Sequence, residues 1–456
     1  MEPRFPFPVA SYRFDQKNEV FKRAAWDPVM APHGDRFYRD IVYQDRPGYR
    51  RMDYALRNAS WTLEWMCGFG NSRGNSGLYS WDAFPEKIRC YLEAGGPVCV
   101  EPAEMSRAVK AAARHLGADM VGITAVHPNW VYSHEFNLIT REHYPLELPD
   151  GVNTAVVLAV AMDYQTMRSS PNGVGGASTG MGYSRMVSAA GALAVFIRGL
   201  GYRAVPCGND TALSVPLAMA AGLGEASRMG LLITEPYGPR VRLCKVFTDL
   251  PLAPDTFRPF GVDAFCHTCK QCAVHCPSRA ISAGEKTDAG PNISSQSGVR
   301  KWYVDGEKCF AYWAQNRMDC GVCIRVCPFN KAPGPLHAAV RGIVKRTTLL
   351  NGLFARMDHS LGYDRAVVQV LGRGAVGAAA GRLPVLLPGR GTPVGGSAEE
   401  GIGRRGHVRV PEERRVDLPA ATGRQGAPGA APRRRRRGLG PACFSFLAVR
   451  LVQIVN

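Results

Sequence analysis

Four cysteines stand within eleven residues in the stretch "CHTCKQCAVHCP", which begins at Cys266 and closes with Pro277. Two residues separate each of the first three cysteines from the next one. Three residues then separate the third cysteine from the final Cys-Pro pair. This is the spacing of bacterial ferredoxins, in which such a run holds a 4Fe–4S cluster. A second stretch, "CGVCIRVCP", runs from Cys320 to Pro328 and repeats the end of the pattern. The two runs therefore predict two iron–sulfur clusters.

The ligands can be assigned because the fourth cysteine of each run ligates the other cluster in two-cluster ferredoxins. The second run lacks its first cysteine, and Cys309, eleven residues before Cys320, takes that place. The predicted ligands of the first cluster are Cys266, Cys269, Cys272 and Cys327. Those of the second cluster are Cys276, Cys309, Cys320 and Cys323.

Disulfide bonding and zinc binding are the alternative uses of these cysteines. Eight of the fourteen cysteines lie between Cys266 and Cys327. Such clustering, in a long chain without a secretory signal, favours metal binding over disulfides. Zinc would require two well-separated CxxC-type pairs. Three closely spaced cysteines and a distant Cys-Pro cysteine suit a cubic cluster better.

Alternating helical and strand patterns precede the cysteines. The helices and strands that they predict must position the site that the clusters serve. "EMSRAVKAAARHLG" has helical spacing and stops at Gly117, and "SRMVSAAGALAVFIRGLG" has the same pattern and stops at Gly201. The stretches "ADMVGIT", "NTAVVLAVAMD" and "YRAVPC" predict strands, and "GLLITEPYGPRVRLCKVFTD" predicts two strands joined by a Gly/Pro turn. The fold class is therefore α/β (α+β), a layered domain with a compact cysteine module appended to it.

Changes in composition along the 456 residues divide the chain into five segments. They are an irregular N-terminal cover (1–102), the α/β domain (103–258), the two-cluster module (259–332), a helical segment completing the core (333–363) and a low-complexity tail (364–456). The tail is rich in Arg, Gly, Ala and Pro and contains no Lys, as in a disordered linker or a segment translated out of frame.

The formal net charge of +18 does not by itself indicate nucleic-acid binding. The segment from Asp364 onwards contains 16 Arg and only 6 acidic residues, so most of the excess lies in the tail. No basic stripe interleaved with aromatic residues accompanies it. The N-terminus has neither an apolar core region nor a twin-arginine pair, which predicts a cytoplasmic location. Export and membrane association are the alternative if a twin-arginine signal is missing from this chain.

The motif order from Met162 to Lys331 resembles that of the cobalamin-dependent reductive dehalogenases. It reads "MDYQ", "TGMGYSRM", "PCGNDTALS", "AGLGE", "GLLIT" and "GPRVRLCKVFTDLPL", followed by both cysteine runs, and the resemblance covers roughly residues 10–363. It implies a nitroreductase-like domain that holds a base-off corrinoid, a binding mode with which the missing DxHxxG motif agrees. It also implies that the clusters reduce the cobalt to Co(I), which reductively cleaves a carbon–halogen bond.

The resemblance also implies roles for individual residues. Tyr183 of the GYS motif matches the proton donor of the family, and Arg242 and Asn209 match its partners. A phenol with a pKa near 10 is a weak acid, and a neighbouring guanidinium favours its ionised form. Trp313 matches an aromatic wall of the substrate pocket. The candidate corrinoid contacts are Ser214, Gly222, Gly224 and Arg228.

The expected partners are a small organohalide and a redox partner, which is a ferredoxin, a flavodoxin or a membrane-anchored donor. No nucleic-acid partner is expected, and the sequence leaves the oligomeric state open. Two alternatives are a tRNA-modifying enzyme like epoxyqueuosine reductase and a non-enzymatic iron–sulfur electron carrier. An acidic proton donor would mark the first alternative, whereas this motif offers Tyr183. The second would need neither a corrinoid nor that tyrosine.

Overall fold

A computed structural model describes residues 4–68, 77–81, 96–138 and 140–367 of the chain. Parts of the predicted N-terminal cover and nearly all of the predicted tail fall outside these ranges. The strands are β1 Met120–Ala125, β2 His134–Phe136, β3 His143–Pro145, β4 Thr154–Ala161, β5 Ala204–Cys207, β6 Glu225–Ala226, β7 Leu232–Ile233 and β8 Val241–Thr248. The first helices are α1 Val20–Arg23, α2 Ala31–Tyr38, α3 Arg51–Ser60, α4 Thr62–Cys67, α5 Pro102–His115, α6 Tyr164–Met167 and α7 Gly173–Gly199. The remaining ones are α8 Ser214–Ala220, α9 Val262–Cys269, α10 Gln271–Val274, α11 Gly306–Asn316, α12 Val322–Arg325, α13 Pro335–Val344 and α14 Asn351–Ser360.

A four-stranded antiparallel sheet, in the order β1-β4-β8-β5, forms the centre of the fold. Its middle strand β4 is apolar along its whole length, and its side chains alternate between two separate hydrophobic clusters. Val156, Leu158 and Val160 face one cluster, and Ala155 and Val157 face the other. Such a continuous apolar run is expected for a strand that is covered on both faces.

The long helix α7 covers one face of this sheet and positions the candidate site. It begins after Asn172, whose side-chain Oδ1 accepts hydrogen bonds from the backbone N–H groups of Val174 and Gly175. The helix ends near Gly201, which has a φ of +88°. By length and composition α7 could cross a bilayer, but most of it is buried inside the protein.

Several sequence predictions are confirmed, and others need correction. The first predicted helix forms α5 and is followed by Gly117 at a φ of +110°, and the three predicted strands form β1, β4 and β5. The second predicted helix begins at Gly173 rather than Ser184, so "TGMGYSRM" is helical. The two strands of the Gly/Pro-turn segment exist, but β7 pairs with β6 whereas β8 enters the main sheet. The segment expected to be irregular contains the helices α1–α4.

The cysteine module is joined to the C-terminal helices by a buried ion pair. Lys331 lies just after the second cysteine run, and its Nζ is 2.6 Å from Oδ1 of Asp358 in α14. Both side chains are only 7% exposed. Burial raises the pKa of the Asp358 carboxyl, and the charge of Lys331 opposes that rise. An ion pair in this setting holds the two segments together because neither charge has water to replace its partner.

We expect Asp358→Leu to lower the free energy of unfolding by roughly 3 kcal/mol, because Lys331 would remain buried without its carboxylate. The double variant Lys331→Met/Asp358→Leu should recover most of this loss. Urea unfolding of the cluster-containing protein, followed by tryptophan fluorescence, measures both effects. A single variant as stable as the parent would contradict the expectation.

Candidate active site

Tyr183 lies in the interior of α7 and is 2% exposed. Its ring stacks on the indole of Trp61, with the ring centroids 4.8 Å apart and the planes inclined by 23°. Trp61 is completely buried and follows directly after α3. Stacking of this kind fixes the plane of the phenol and leaves its hydroxyl to be placed by polar neighbours.

Two glycines of α7 make room for the neighbours of Tyr183. A Cβ atom on Gly180 would lie 2.4 Å from Cδ1 of Trp61, and one on Gly182 would lie 2.9 Å from Cγ of Arg242. Any larger residue at these two positions would push the indole or the arginine away from the helix. The glycines of "TGMGYS" therefore serve side-chain packing against the helix rather than a turn.

Arg242 reaches Tyr183 from strand β8, where it is opposite Val160 of β4. Its side chain is buried, with the guanidinium carbon 5.2 Å from the centre of the Tyr183 ring. One Nη atom donates a hydrogen bond of 3.4 Å to Oγ1 of Thr179, one helical turn before Tyr183. No acceptor for the Nε–H group exists among the described residues. The cation is therefore held by weak contacts in a dry environment.

The hydroxyl of Tyr183 accepts a hydrogen bond of 2.7 Å from Nδ2 of Asn209. Within the described ranges, no acceptor for the proton of this hydroxyl is recorded, so the proton is available to a bound molecule. Burial raises the pKa of the phenol above 10, and the nearby Glu64 raises it further, whereas Arg242 and Asn209 lower it. The phenol therefore stays protonated at neutral pH.

Lys245, which sequence reasoning missed, holds the loop that carries Asn209. It is fully buried, and its Nζ donates to the carbonyl oxygens of Gly208 (2.5 Å) and Ala212 (2.9 Å) and to Oγ of Ser214 (3.0 Å). These three acceptors bracket Asn209 on both sides. The available signal was a lysine within the strand segment "VRLCKVFT", because a buried strand tolerates an ammonium only where acceptors surround it.

The eight clustered cysteines fall into two groups of mutually interacting thiols. The thiols of Cys266, Cys269 and Cys272 all act on Cys327. The thiols of Cys320, Cys323 and Cys276 all act on Cys309. Cys272 also interacts with Cys323, so the two groups are neighbours. These are the two sets that the ferredoxin pairing rule predicts.

The thiols in both groups are poor acids without a metal. Burial raises the pKa of Cys266 and of Cys323 to about 12, and that of Cys269 to about 11, and neighbouring thiols add to the rise for the first two. Four buried thiolates need a compensating positive charge, which an iron–sulfur cluster supplies. The backbone N–H of Ala280 also donates to Sγ of Cys276 at 3.3 Å, which suits a sulfur ligand.

Arg242 connects the cysteine module to Tyr183. Its charge lowers the pKa of the Cys323 thiol as well as that of the Tyr183 phenol. One guanidinium therefore acts electrostatically on a candidate cluster ligand and lies beside a candidate proton donor.

Trp313 lies in α11 and is 3% exposed. It packs edge-on against Phe21, with the ring centroids 5.5 Å apart, and it also contacts Phe37. It shares one continuous buried cluster with Tyr183, but no ring contact joins the two in the described part of the chain. Its indole N–H has no partner among the described residues, which leaves a donor available beside this aromatic group.

The four candidate corrinoid contacts have structural partners within the protein. Ser214 bonds to Lys245, and Arg228 donates to backbone carbonyls of the cysteine module, including that of Cys266 at 3.0 Å. Gly222 has a φ of +72° and approaches the carbonyl of Thr256. Gly224 lets strand β6 lie close to Ile233 in β7. Their chain neighbours, rather than these four residues, line the cavity described next.

A cavity of about 430 Å³ lies between the segment 213–230, the N-terminal residues 6–10 and the segment 257–304 of the cysteine module. Its walls are mostly apolar or aromatic and include Trp130, Met219 and Trp302. The loop held by Lys245 connects it to the phenol, since Asn209 bonds to Tyr183 and Leu213 lines the cavity. This cavity is large enough for part of a bulky cofactor.

Comparisons with known proteins agree with this architecture. The family model for a 4Fe-4S double cluster binding domain matches residues 265–330. The chain is 38% identical over 346 residues to a tetrachloroethene reductive dehalogenase of Sulfurospirillum multivorans, covering 69% of each chain. It is 35% identical over 389 residues to a tetrachloroethene reductive dehalogenase of Desulfitobacterium hafniense, covering 70% of this chain and 69% of that one.

A solved reductive dehalogenase structure, described as suggesting a mechanism for B12-dependent dehalogenation, has a similar fold. The TM-score is 0.60 at 23% sequence identity, and the match covers 80% of this chain and 49% of that one. The chain thus spans about half the length of this solved structure. The likeness shows that the chain shares the fold of this solved protein.

We expect Lys245→Met to lower the free energy of unfolding by roughly 3 kcal/mol, because it removes three hydrogen bonds from a buried cation and leaves their acceptors unpaired. Urea unfolding followed by tryptophan fluorescence is the measurement. Lys345→Met serves as the control, since this lysine is 53% exposed and should change stability by less than about 0.5 kcal/mol. Equal effects of both substitutions would refute a structural role for the buried ammonium.

Proposed function

The chain belongs to the reductive dehalogenases, oxidoreductases that act on carbon–halogen bonds, and from this premise we propose that it replaces a halogen of a small organohalide by hydrogen. The position of Arg242 beside the Tyr183 ring, from which its charge also lowers the pKa of the Cys323 thiol, carries the proposal. The reaction consumes two electrons and one proton and releases halide. The proposal routes the electrons through the cysteine module and takes the proton from Tyr183.

The electrons pass through two 4Fe–4S clusters in this proposal. One cluster is ligated by Cys266, Cys269, Cys272 and Cys327, and the other by Cys276, Cys309, Cys320 and Cys323. The two thiol groups support this assignment because in each of them three thiols act on the fourth, Cys327 in one group and Cys309 in the other. The match to a double-cluster family model favours iron–sulfur clusters over zinc.

Tyr183 donates the proton from its phenolic oxygen. Burial keeps the phenol protonated, and the hydrogen bond from Asn209 uses a lone pair of the oxygen rather than its hydrogen. When the proton leaves, Arg242 and Asn209 stabilise the phenolate by charge and by hydrogen bonding. The stack on Trp61 keeps the hydroxyl pointing at the same place during transfer.

A base-off corrinoid is the proposed cofactor, and when bound it supplies the reduced cobalt centre at which the carbon–halogen bond is cleaved. The apolar cavity next to the segment 213–230 fits part of such a group. Arg228 braces the wall of this cavity, because it bonds to carbonyls of the cysteine module and lies 4.3 Å from the ring of Trp302. Ser214, Gly222 and Gly224 shape the backbone behind the same wall.

The proposed substrate class is the chlorinated alkenes. The relatives at 38% and 35% identity are both tetrachloroethene reductive dehalogenases. Trp313 and the aromatic side chains around it provide the apolar surface that a halocarbon prefers. The family assignment favours this function over a tRNA-modifying enzyme or an electron carrier without catalytic activity.

We expect Tyr183→Phe to reduce halide release from tetrachloroethene by roughly 10²- to 10⁴-fold, since the substitution removes the acid and keeps the ring stacked on Trp61. The measurement is chloride release by anaerobically purified, corrinoid-loaded enzyme with a reduced viologen as electron donor. Tyr164→Phe is the control, because it removes a phenol hydroxyl outside the site and should retain the parent rate. Unchanged activity in Tyr183→Phe would rule out the proposed proton donor, and no halide release by the parent would overturn the substrate class.

We expect Cys309→Ser to lose one cluster and about half of the iron, because the other thiol group remains complete. Iron analysis and the electron paramagnetic resonance spectrum of the reduced protein measure the loss. The exposed Cys99, which lies outside both groups, supplies the control Cys99→Ser. Full iron content in Cys309→Ser would show that another residue completes the second cluster.

A further inference from the structure

Two imidazoles and one carboxylate lie together at the antiparallel pair of strands β2 and β3, and the proposed reaction uses none of them. Asp15, His134 and His143 each have one possible ligand atom within 4.8 Å of those of the other two. Nε2 of His143 lies 3.0 Å from both carboxylate oxygens of Asp15. The rings of His134 and His143 have centroids 4.7 Å apart and planes inclined by 32°. Imidazole nitrogens and a carboxylate are the ligand types of a transition-metal site.

The register of β2 and β3 places the two imidazoles on one face of the strand pair. His134 is opposite Pro145, and Phe136 is opposite His143, so the two histidines are diagonal neighbours. Diagonal neighbours of this kind share a face, because side chains alternate along each strand. A hydrogen bond of 3.1 Å joins Nδ1 of His134 to Oγ of Ser133, and it fixes the orientation of that ring.

Asp15 is held beside the two histidines by the backbone around it. Its Oδ1 accepts a hydrogen bond of 3.0 Å from the backbone N–H of Lys17, at the start of a short 3-10 helix. Gln16, the next residue, is 1% exposed, and its Oε1 accepts a hydrogen bond of 3.1 Å from the backbone N–H of Phe136 in β2. The protein therefore positions the carboxylate by itself, and a metal ion would meet three ligands that are already together.

Solvent reaches this group of side chains, so a metal ion can enter it. The side chain of His143 is 29% exposed and that of Asp15 is 22% exposed. Three protein ligands leave the fourth position of a tetrahedral zinc ion to water. Nitrogen ligands favour zinc over magnesium, which prefers oxygen ligands.

A second group of two histidines and one aspartate shows what distinguishes the first. Nε2 of His275 and Nδ1 of His359 lie 3.2 Å and 2.6 Å from the same oxygen of Asp364. That carboxylate already pairs with both imidazoles, so hydrogen bonding accounts for the whole second group. In the first group, by contrast, His134 lies within ligand distance but forms no hydrogen bond with the carboxylate among the contacts of the described residues. A shared metal ion accounts for the position of this second imidazole.

We propose that Asp15, His134 and His143 bind a divalent transition-metal ion, and that zinc matches these ligands best. The bound ion clamps the N-terminal segment that carries Asp15 to strands β2 and β3. This inference is independent of the proposed function, since it uses none of the residues assigned to proton donation or to the clusters.

The test is zinc binding by the anaerobically purified protein with its clusters intact, after dialysis against a chelator. We expect His134→Gln and His143→Gln each to weaken zinc binding by roughly 100-fold, because even the loss of an outer-shell partner of a metal ligand costs roughly 10- to 100-fold. Equilibrium dialysis with elemental analysis measures zinc and iron together. Parental iron content shows that a variant is folded, and His134→Gln also keeps the hydrogen bond between His143 and Asp15.

His359→Gln is the matched control, because it removes an imidazole from the second group and should retain the parental zinc affinity. Parental affinity in His134→Gln, or a loss in His359→Gln instead, would overturn the site. Displacement of the zinc by an equal concentration of magnesium would refute the histidine ligands.

The clamp is tested by amide hydrogen exchange of β2 and β3 in the parent protein. With zinc at ten times its dissociation constant, we expect exchange to slow by roughly tenfold, because the ion binds only the closed form. The same addition should leave exchange in His134→Gln unchanged. Unaltered exchange in the parent with zinc bound would overturn the clamp.

Discussion

The buried charge of Arg242 is the interaction on which the candidate site depends. Burial raises the pKa of both the Tyr183 phenol and the Cys323 thiol, and the guanidinium opposes both rises. Without this cation, the ionised forms of both acids would be stabilised only by hydrogen bonds, from Asn209 to the phenol and from backbone N–H groups to the thiol. The cation itself can approach only because Gly182 has no side chain where the arginine crosses the helix. The proposed proton donor and a proposed cluster ligand therefore share one electrostatic element.

Other buried cations follow a consistent rule. Lys245 is surrounded by three acceptors of the Asn209 loop, Arg228 by carbonyls of the cysteine module, and Lys331 by the carboxylate of Asp358. Each cation links two segments that are distant in sequence.

Local sequence patterns predicted the helices and strands whose apolar residues follow a regular pattern. Helix α5 has one apolar face and a glycine stop, and strand β4 is apolar throughout, so periodicity and composition are sufficient for both. The beginning of α7 was not predicted, because its first turns are rich in glycine, which disfavours helices in isolation. Tertiary packing overrides this preference, since Trp61 and Arg242 require glycines where they touch the helix. The strands that pair with β7 and β8 were not predicted either, because strand pairing depends on residues far away in sequence.

The sequence by itself determined the chemistry of the cysteine module, because ligand type and spacing within a short run fix which cluster can form. It also identified Tyr183, Asn209 and Arg242 through a resemblance of motifs, but it contained no measure of the distances between them. Only the tertiary structure brought these three residues together, since they lie on α7, on the loop after β5 and on β8. The same is true of Lys245, whose role follows from its burial and from the acceptors around it. Those are properties of the packed fold, because a charged side chain has the same solvation everywhere in an unfolded chain and acquires a cost only when the fold encloses it.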